Sequence, residues 1–399
     1  MIRKILVSVF TTIVLMLSIA GAFAGGFAVS RAVFPPPLPA DGGAPPEWKP
    51  HIAIFWEAWN YVQQDFYKTP LDSDTLVNGS VSGMLEALGD PHTTFVDARR
   101  AEIIRSNMQG SFEGIGATIS MREGRLTIVS VIKGSPAERA GLRPEDIILQ
   151  VDGTVIQNMD VTDAVMLIRG PKGTQVKLLI LRGTQEPFTV EITRDTIRIP
   201  FVEARMIEGT KIGYIRLNEF GAPASSEIAA AWREMSAQNP TGLILDLRNN
   251  PGGYLPAAVE VASQFLPANQ IVLVVKGKKG NTDTYRAKSG GVATQIPLVV
   301  LIDKGSASAS EIVAAALKDH ERATLIGTRT FGKGSVQQVY TLSDKSQLNV
   351  SVARFFSPGG HEIEKVGVTP HLIVEMTEED VEARRDPQLD AAIKFLMSK

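Results

Sequence analysis

The 399-residue sequence contains no cysteine. Disulfides, thiolate nucleophiles and Cys-ligated zinc are therefore excluded, while export is not, because many exported chains lack cysteine. It also lacks an excess of either charge: 41 Lys and Arg stand against 43 Asp and Glu. The bulk charge thus gives no case for nucleic acid as a partner. Histidine is sparse, with five residues, and there is no H-E-x-x-H metalloprotease motif; His361-Glu362 is only half of it. No metal or other cofactor is expected. The region after residue 200 has no G-x-S-x-G elbow, and no internal repeat is apparent.

What is present begins with a long apolar run. Arg3 and Lys4 precede an uncharged stretch from Ile5 to Ser30, long enough to span a bilayer as a helix. The positive flank should stay cytoplasmic and place the rest outside. Ala22-Phe23-Ala24 also reads as a signal-peptide cleavage site. Either way, residues 1–34 imply an extracytoplasmic protein, membrane-anchored if the segment is kept and periplasmic or secreted if it is cut. Residues 35–50, rich in Pro and Gly, read as an extended linker. Residues 51–107 have helical periodicity. Their aromatics Trp56, Trp59, Tyr61 and Phe66 are expected to pack on a core, with a partner chain, and so a homodimer, as the alternative.

Residues 108–197 alternate as strands around two short helical stretches and make a small β-rich domain. From 198 to 399 the texture is α/β. The apolar strand candidates "KIGYIRL", "TGLILDLR", "QIVLVV", "IPLVVLID" and "ATLIG" alternate with helical stretches, which predicts a mostly parallel sheet covered on both faces.

"GTRTFGKGS", Gly327 to Ser335, is one letter from a phosphate-binding loop. A true one needs a hydroxyl where Gly334 stands and a helix starting at the lysine. The alternating "SVQQVYTLSDKSQLNVSVARF" that follows reads as strands instead. Nearby, "LVVLIDKGSASASEIVAAAL" runs from an apolar strand through a turn into a helix. It places Ser306, Ser308 and Ser310 where unpaired helix N–H groups can stabilise an oxyanion. One of these serines could be a simple N-cap with Glu311 completing a capping box, but three exceed what capping requires. None of His51, His92, His320, His361 and His371 is tied to these serines by a motif, so a Ser-His-Asp site would have to form from spatial neighbours. A lysine can act as the base once neutral, as desolvation allows, and Lys333 between two glycines is a candidate.

At this point the residues resemble the C-terminal processing peptidases, or tail-specific proteases. "KGSASASEIVAAALKD", "GTRTFGKGSVQ" and "LILDLRNNPGG" carry the resemblance, together with "ALGDPHTTFV", "GIGATI", "SPAERAGLRPEDIILQVDG" and "GVTPHLIVE". The stretches occur in the family's order over residues 51 to 399. The resemblance implies a crotonase- or ClpP-like α/β peptidase core, a β-rich PDZ domain and a helical N-terminal region. By the same resemblance Ser308 is the nucleophile, Lys333 the general base and Gln337 the residue that orients the lysine. The oxyanion hole would use Ala309 N–H with Gly252 or Gly253. Gly114, Ile115 and Gly116 would hold the C-terminal tail of a protein substrate, and Arg169 could link tail capture to the active site. His371 departs from the pattern, since the family often has an acidic residue there. The implied activity is that of an exported serine endopeptidase acting through an acyl-enzyme. The rival is a catalytically silent tail-binding scaffold or chaperone, whose mark would be a missing serine or lysine at the two mapped positions.

Overall fold

The computed structural model describes residues 46–398 apart from 69, 123 and 158. The apolar run Ile5–Ser30 and most of the Pro/Gly-rich linker lie outside the described residues. No helix among the described residues is long and apolar enough to cross a membrane. The chain divides into two compact units, residues 1–75 and 76–399.

The first unit contains α1 (Lys49–Asp65), with proline in its first turn. Its aromatics cluster on one another, Phe55 and Trp56 with ring centroids 5.2 Å apart and Trp56 and Trp59 at 6.3 Å. No residue of α1 is buried, and Trp56 is 55% exposed. The expected packing of this stripe on a core is therefore overturned. Helical spacing decides which side chains share a face, but not what covers it.

α2 (Ser73–Glu86) begins at the end of that unit. β1 (Thr94–Val96) and α3 (Ala98–Met108) follow, the helix capped by Asp97, whose carboxylate accepts from the N–H groups of Arg99 and Arg100. β2 (Ser111–Gly114) opens the β-rich domain. Then come β3 (Ala117–Arg122), β4 (Arg125–Val131), the one-turn α4 (Pro136–Arg139), β5 (Ile147–Val151), β6 (Thr154–Val155), α5 (Val161–Ile168), β7 (Gln175–Leu181) and β8 (Phe188–Thr193). Ser135 caps α4 and Asp160 caps α5, as short polar residues before an apolar turn should. The sheet runs β3-β4-β5-β7-β8, with β6 on β5, and every pairing is antiparallel. Val176, Leu178 and Ile180 on alternate positions of β7 are wholly buried, the period of two that a one-sided sheet requires. β9 (Asp195–Arg198) pairs with β2 and closes the domain where the chain enters and leaves it.

The α/β core contains β10 (Val202–Met206), β11 (Ile212–Leu217), α6 (Ala224–Ser236), β12 (Gly242–Asp246), α7 (Leu255–Phe265), β13 (Ile271–Gly277), β14 (Thr282–Arg286), β15 (Leu298–Ile302), α8 (Ala309–Asp319), β16 (Thr324–Gly327), β17 (Ser335–Thr341), β18 (Gln347–Phe356), β19 (Leu372–Ile373), α9 (Glu378–Glu382) and α10 (Pro387–Met397). Its main sheet has the order β10-β11-β12-β15-β16-β19. All pairings are parallel except β10 with β11. Every residue of β12 and β15 is buried, because helices cover both faces. Leu243, Leu245 and Val300 pack with residues of α6, α7 and α8, while Ile244, Val299 and Leu301 meet Ala392 and Leu396 of α10. The expected mostly parallel, doubly covered sheet is thus present.

"QIVLVV", however, is not in it. As β13 it pairs antiparallel with β14 and β18 in a second sheet that also holds β17 and β1. A short apolar run is compatible with burial in either kind of sheet. His371 completes the edge of the main sheet: its N–H donates to the Leu325 carbonyl and its Nδ1 accepts the Leu325 N–H, each at 2.9 Å. An imidazole lone pair thus does the accepting there, and burial and Lys318 depress the pKa of the ring.

Candidate active site

The adjacent parallel strands β12, β15 and β16 release three loops at their carboxyl ends: Leu247–Tyr254, Asp303–Ser308 and Thr328–Gly334. Open α/β sheets bind ligands at this edge. The mapped serine, lysine and oxyanion glycines all lie on these three loops.

The three serines separate by burial and bonding. Ser306 is fully buried, and its hydroxyl donates to the Leu247 carbonyl at 2.8 Å. Ser310 is fully buried as well, and its hydroxyl donates to the Asn250 carbonyl at 2.9 Å. Ser308 is half-buried, and its hydroxyl proton has no acceptor among the described residues. Ser308 is also the residue before α8, with φ 53° and ψ −110°. That left-handed backbone is costly for a residue with a Cβ and clusters at functional sites.

Glu311, three residues on, holds this conformation. Its wholly buried carboxylate accepts four hydrogen bonds. Oε2 takes the N–H of Ser308 at 2.8 Å and that of Lys333 at 2.9 Å. Oε1 takes the Thr330 hydroxyl at 2.5 Å and the Gly332 N–H at 2.7 Å. Burial pushes this carboxyl above its ordinary pKa, and the four donors work against that shift. One oxygen therefore ties the backbone of Ser308 to that of Lys333. Phe331 N–H donates to the Ser306 carbonyl at 3.0 Å and stitches the same two loops again.

Lys333 is half-buried, and its ammonium makes no hydrogen bond or ion pair among the described residues. The glycines beside it are dictated by packing. A Cβ on Gly334 would stand 2.4 Å from Glu364 N, and one on Gly332, where φ is +93°, would stand 3.1 Å from the Lys365 carbonyl carbon. After Ser335 the chain is strand β17, as the alternation predicts, so the near-miss to a phosphate loop is not followed by a helix. Among the described residues Gln337 makes no hydrogen bond to the Lys333 ammonium. Its Nε2 donates to Ser335 Oγ at 2.8 Å and Ser351 Oγ at 3.3 Å. Ser351 N–H in turn reaches Thr93 Oγ1, which donates to Asp90, so "GDPHTT" is fastened to β18 beside Gln337.

Gly252 lies directly against the serine turn. A Cβ there would fall 2.9 Å from Ala309 N, 2.9 Å from Ser308 Cβ and 2.8 Å from the Ala307 carbonyl oxygen. The Ala309 N–H, first of α8, has no acceptor among the described residues, and neither has the Gly253 N–H. The Gly252 N–H donates to Asn250 Oδ1 at 2.9 Å. Below this turn, Arg248 binds Asp246 at 2.6 Å and Asp386 at 2.8 Å, joining the end of β12 to α10. Burial works against its charge, but the two carboxylates raise its pKa above the ordinary range. Tyr214 donates to Asp246 at 2.7 Å, and burial together with that carboxylate pushes its phenol up to about 12.

In the β-rich domain, Gly114, Ile115 and Gly116 connect β2 to β3. Ile115 is buried and its carbonyl accepts from Ala137 N–H. Gly116 has φ +81°, and a Cβ there would lie 2.4 Å from Ser135 Cβ, so only glycine fits. Arg169 lies over the Phe112 ring at 4.0 Å and donates to Ser106 Oγ and Asn107 Oδ1 at the end of α3. Burial lowers its pKa. Its polar partners are thus on α3 and not on the three loops at the carboxyl edge of the main sheet. Motif reading gave Asn250 and Thr330 no role and weighed Glu311 only as a cap. The acid at the fourth position of "SASE", three residues after Ser308, was the available sign. Among the described residues no group of three or more His, Asp or Glu is placed to hold a metal ion.

An α/β core with a helix-start serine at the carboxyl edge of parallel strands, joined to a PDZ-type domain, defines a two-domain peptidase architecture. The comparisons agree. Peptidase family S41 matches residues 211–374, and the PDZ domain family matches 127–182. The chain is 39% identical over 329 residues to the carboxy-terminal-processing protease of Bartonella bacilliformis, covering 81% of this chain and 75% of that one. It is 38% identical over 347 residues to the carboxyl-terminal-processing protease of Synechocystis, covering 85% and 81%. The solved structure of an S41-type protein from Bacteroides fragilis shares the fold, with a TM-score of 0.53 at 19% identity over 86% of this chain and 97% of that one. The chain belongs to the carboxy-terminal-processing protease family, peptidase family S41.

Proposed function

We propose that this protease is an exported serine endopeptidase in which Ser308 is the nucleophile and Lys333 the general base. The observation that carries the reading is the contrast among the three serines. Of the three, only Ser308 has a hydroxyl proton with no acceptor among the described residues, a left-handed backbone and an unpaired helix N–H next to it, even though its side chain and that of Glu311 form a capping box. In the proposed reaction Lys333 takes the hydroxyl proton as Ser308 Oγ adds to the scissile carbonyl carbon. The oxyanion accepts from Ala309 N–H and a glycine N–H of the "NPGG" turn. The C–N bond then breaks, the lysine returns the proton to the departing amine, and water hydrolyses the acyl ester to restore Ser308.

The PDZ domain supplies the substrate class, protein C-termini, since such domains take an extended tail as an added strand while loop N–H groups hold its carboxylate. We assign this role to Gly114, Ile115 and Gly116, and the closeness of Arg169 to Gly114 supports its part in tail capture. The apolar N-terminal run supports export and a membrane tether, and the exposed aromatics of α1 support a homodimer. Ser308→Ala and Lys333→Ala are each expected to abolish cleavage of a tailed protein followed by mass spectrometry, and EDTA is expected to leave it intact. Turnover retained in Lys333→Ala would instead assign the base to a histidine. Tail binding without cleavage by the wild type would favour the silent scaffold.

A further inference from the structure

Of the two glycines that follow Pro251, only Gly253 has an N–H without an acceptor among the described residues, and Asn250 is the reason. Asn250 is wholly buried. Its Nδ2 donates to the Leu217 carbonyl of β11 at 2.7 Å, and its Oδ1 accepts the Gly252 N–H at 2.9 Å. Its own carbonyl accepts from Ala307 N–H at 3.0 Å and from the Ser310 hydroxyl at 2.9 Å. A single side chain thus spans from β11 to the glycine turn, while the same residue's backbone reaches both sides of Ser308. The amide has one workable orientation. Turned over, it would set NH₂ against the Gly252 N–H and oxygen against the Leu217 carbonyl.

We propose that Asn250 is a positioning residue for the oxyanion hole: by holding the Gly252 N–H it makes Gly253 the glycine that donates, together with Ala309. This rests on the serine-peptidase reading above. The Gly252 N–H is spent on Oδ1, and the two glycines have φ of +105° and +142°. This backbone seats Gly252 directly against the serine turn, so close that a Cβ would fall 2.9 Å from Ala309 N. Without the Asn250 acceptor, the buried Gly252 N–H would seek another partner and the turn would rotate. Asn250 does not touch the substrate in this scheme. It acts through the peptide plane between residues 251 and 252, which carries the held N–H and sets the direction of the next one.

The test combines kinetics with a direct view of the glycine amides. With a tailed protein as substrate, Asn250→Ala is expected to lose about a hundredfold in kcat, the scale of one lost oxyanion donor. KM and the affinity for a free tail peptide should stay within about twofold, as expected for an interaction made only in the transition state. Asn250→Asp, which keeps an acceptor for Gly252, should fall between Asn250→Ala and wild type. In ¹⁵N-glycine-labelled wild-type protein, a peptide aldehyde trapped as a hemiacetal on Ser308 should move the Gly253 amide proton downfield and leave that of Gly252 in place. This readout needs no variant to fold. A shift at Gly252 instead, near-wild-type kcat in Asn250→Ala, or parallel losses of kcat and tail affinity would each overturn the proposal. Cleavage surviving in Ser308→Ala would overturn the serine reading itself, and this proposal with it.

Discussion

Replacing Glu311 by glutamine tests whether one buried carboxylate holds the nucleophile and the base loop in register. The substitution conserves shape and removes one acceptor atom. Both carboxylate oxygens accept two donors, from Ser308 and Lys333 on one side and from Thr330 and Gly332 on the other. An amide can satisfy one side only, so its NH₂ must face two buried donors. Each unsatisfied buried donor costs about 1–3 kcal/mol. Relief of burying a charge offsets part of this, as the raised pKa of Glu311 indicates. A loss of about 3 kcal/mol in unfolding free energy is therefore expected, read as a lower denaturant midpoint at an unchanged slope. The functional loss should be separable. If the amide turns its oxygen toward Thr330, Ser308 loses the bond that holds its left-handed backbone, and kcat should fall at least about tenfold. Tail-peptide binding to the PDZ domain should be unchanged. A Glu311→Gln protein with wild-type midpoint and wild-type kcat would refute the reasoning.

Gly252→Ala is expected to be less stable and to cleave on the order of a hundredfold more slowly, because its methyl, at φ +105°, would press into the space beside Ala309 N at 2.9 Å and the Ala307 carbonyl oxygen at 2.8 Å. A variant with full kcat would show that this space is not used. Acid should act through Asp386. Burial alone would raise its pKa, but hydrogen bonds from Arg248 and the N–H of Leu389 hold it below the ordinary value. A depressed carboxylate contributes stability fully above its unfolded pKa of about 3.9 and loses that contribution as pH falls through its lower folded value. Asp386→Asn should therefore be less stable at neutral pH and show a flatter loss below about pH 4; an unchanged acid limb in unfolding curves would exclude the contribution. Gly116→Ala should abolish tail-peptide binding or unfold the PDZ domain, since Ser135 cannot withdraw from a Cβ at 2.4 Å; unimpaired binding in a titration would contradict this.

Much of the fold was legible because it is written in local pattern. Fully apolar runs announced β12 and β15, and polar-apolar alternation correctly replaced the helix of a phosphate loop with β17. The turn-to-helix serines marked the proposed nucleophile because a strand, a turn and a helix meet within twenty residues. What escaped is held by contacts distant in sequence. Gln337 meets Ser351, Asn250 reaches Leu217, and Arg248 reaches Asp386. Such hydrogen bonds follow from how strands are ordered in a sheet, and no periodicity records that order. The sheet assignment of "QIVLVV" and the exposure of the α1 aromatics were missed for a related reason: an apolar side chain signals a wish for cover without naming the cover.

The alternation of serines around position 308 has a practical consequence. Ser306 and Ser310 are struts, each hydroxyl bracing the loop from beneath, so alanine at either would slacken the turn and silence it indirectly. A knock-out survey of "SASAS" would therefore nominate three nucleophiles. Only a reagent that bonds to oxygen would single out the one hydroxyl whose proton is not already engaged.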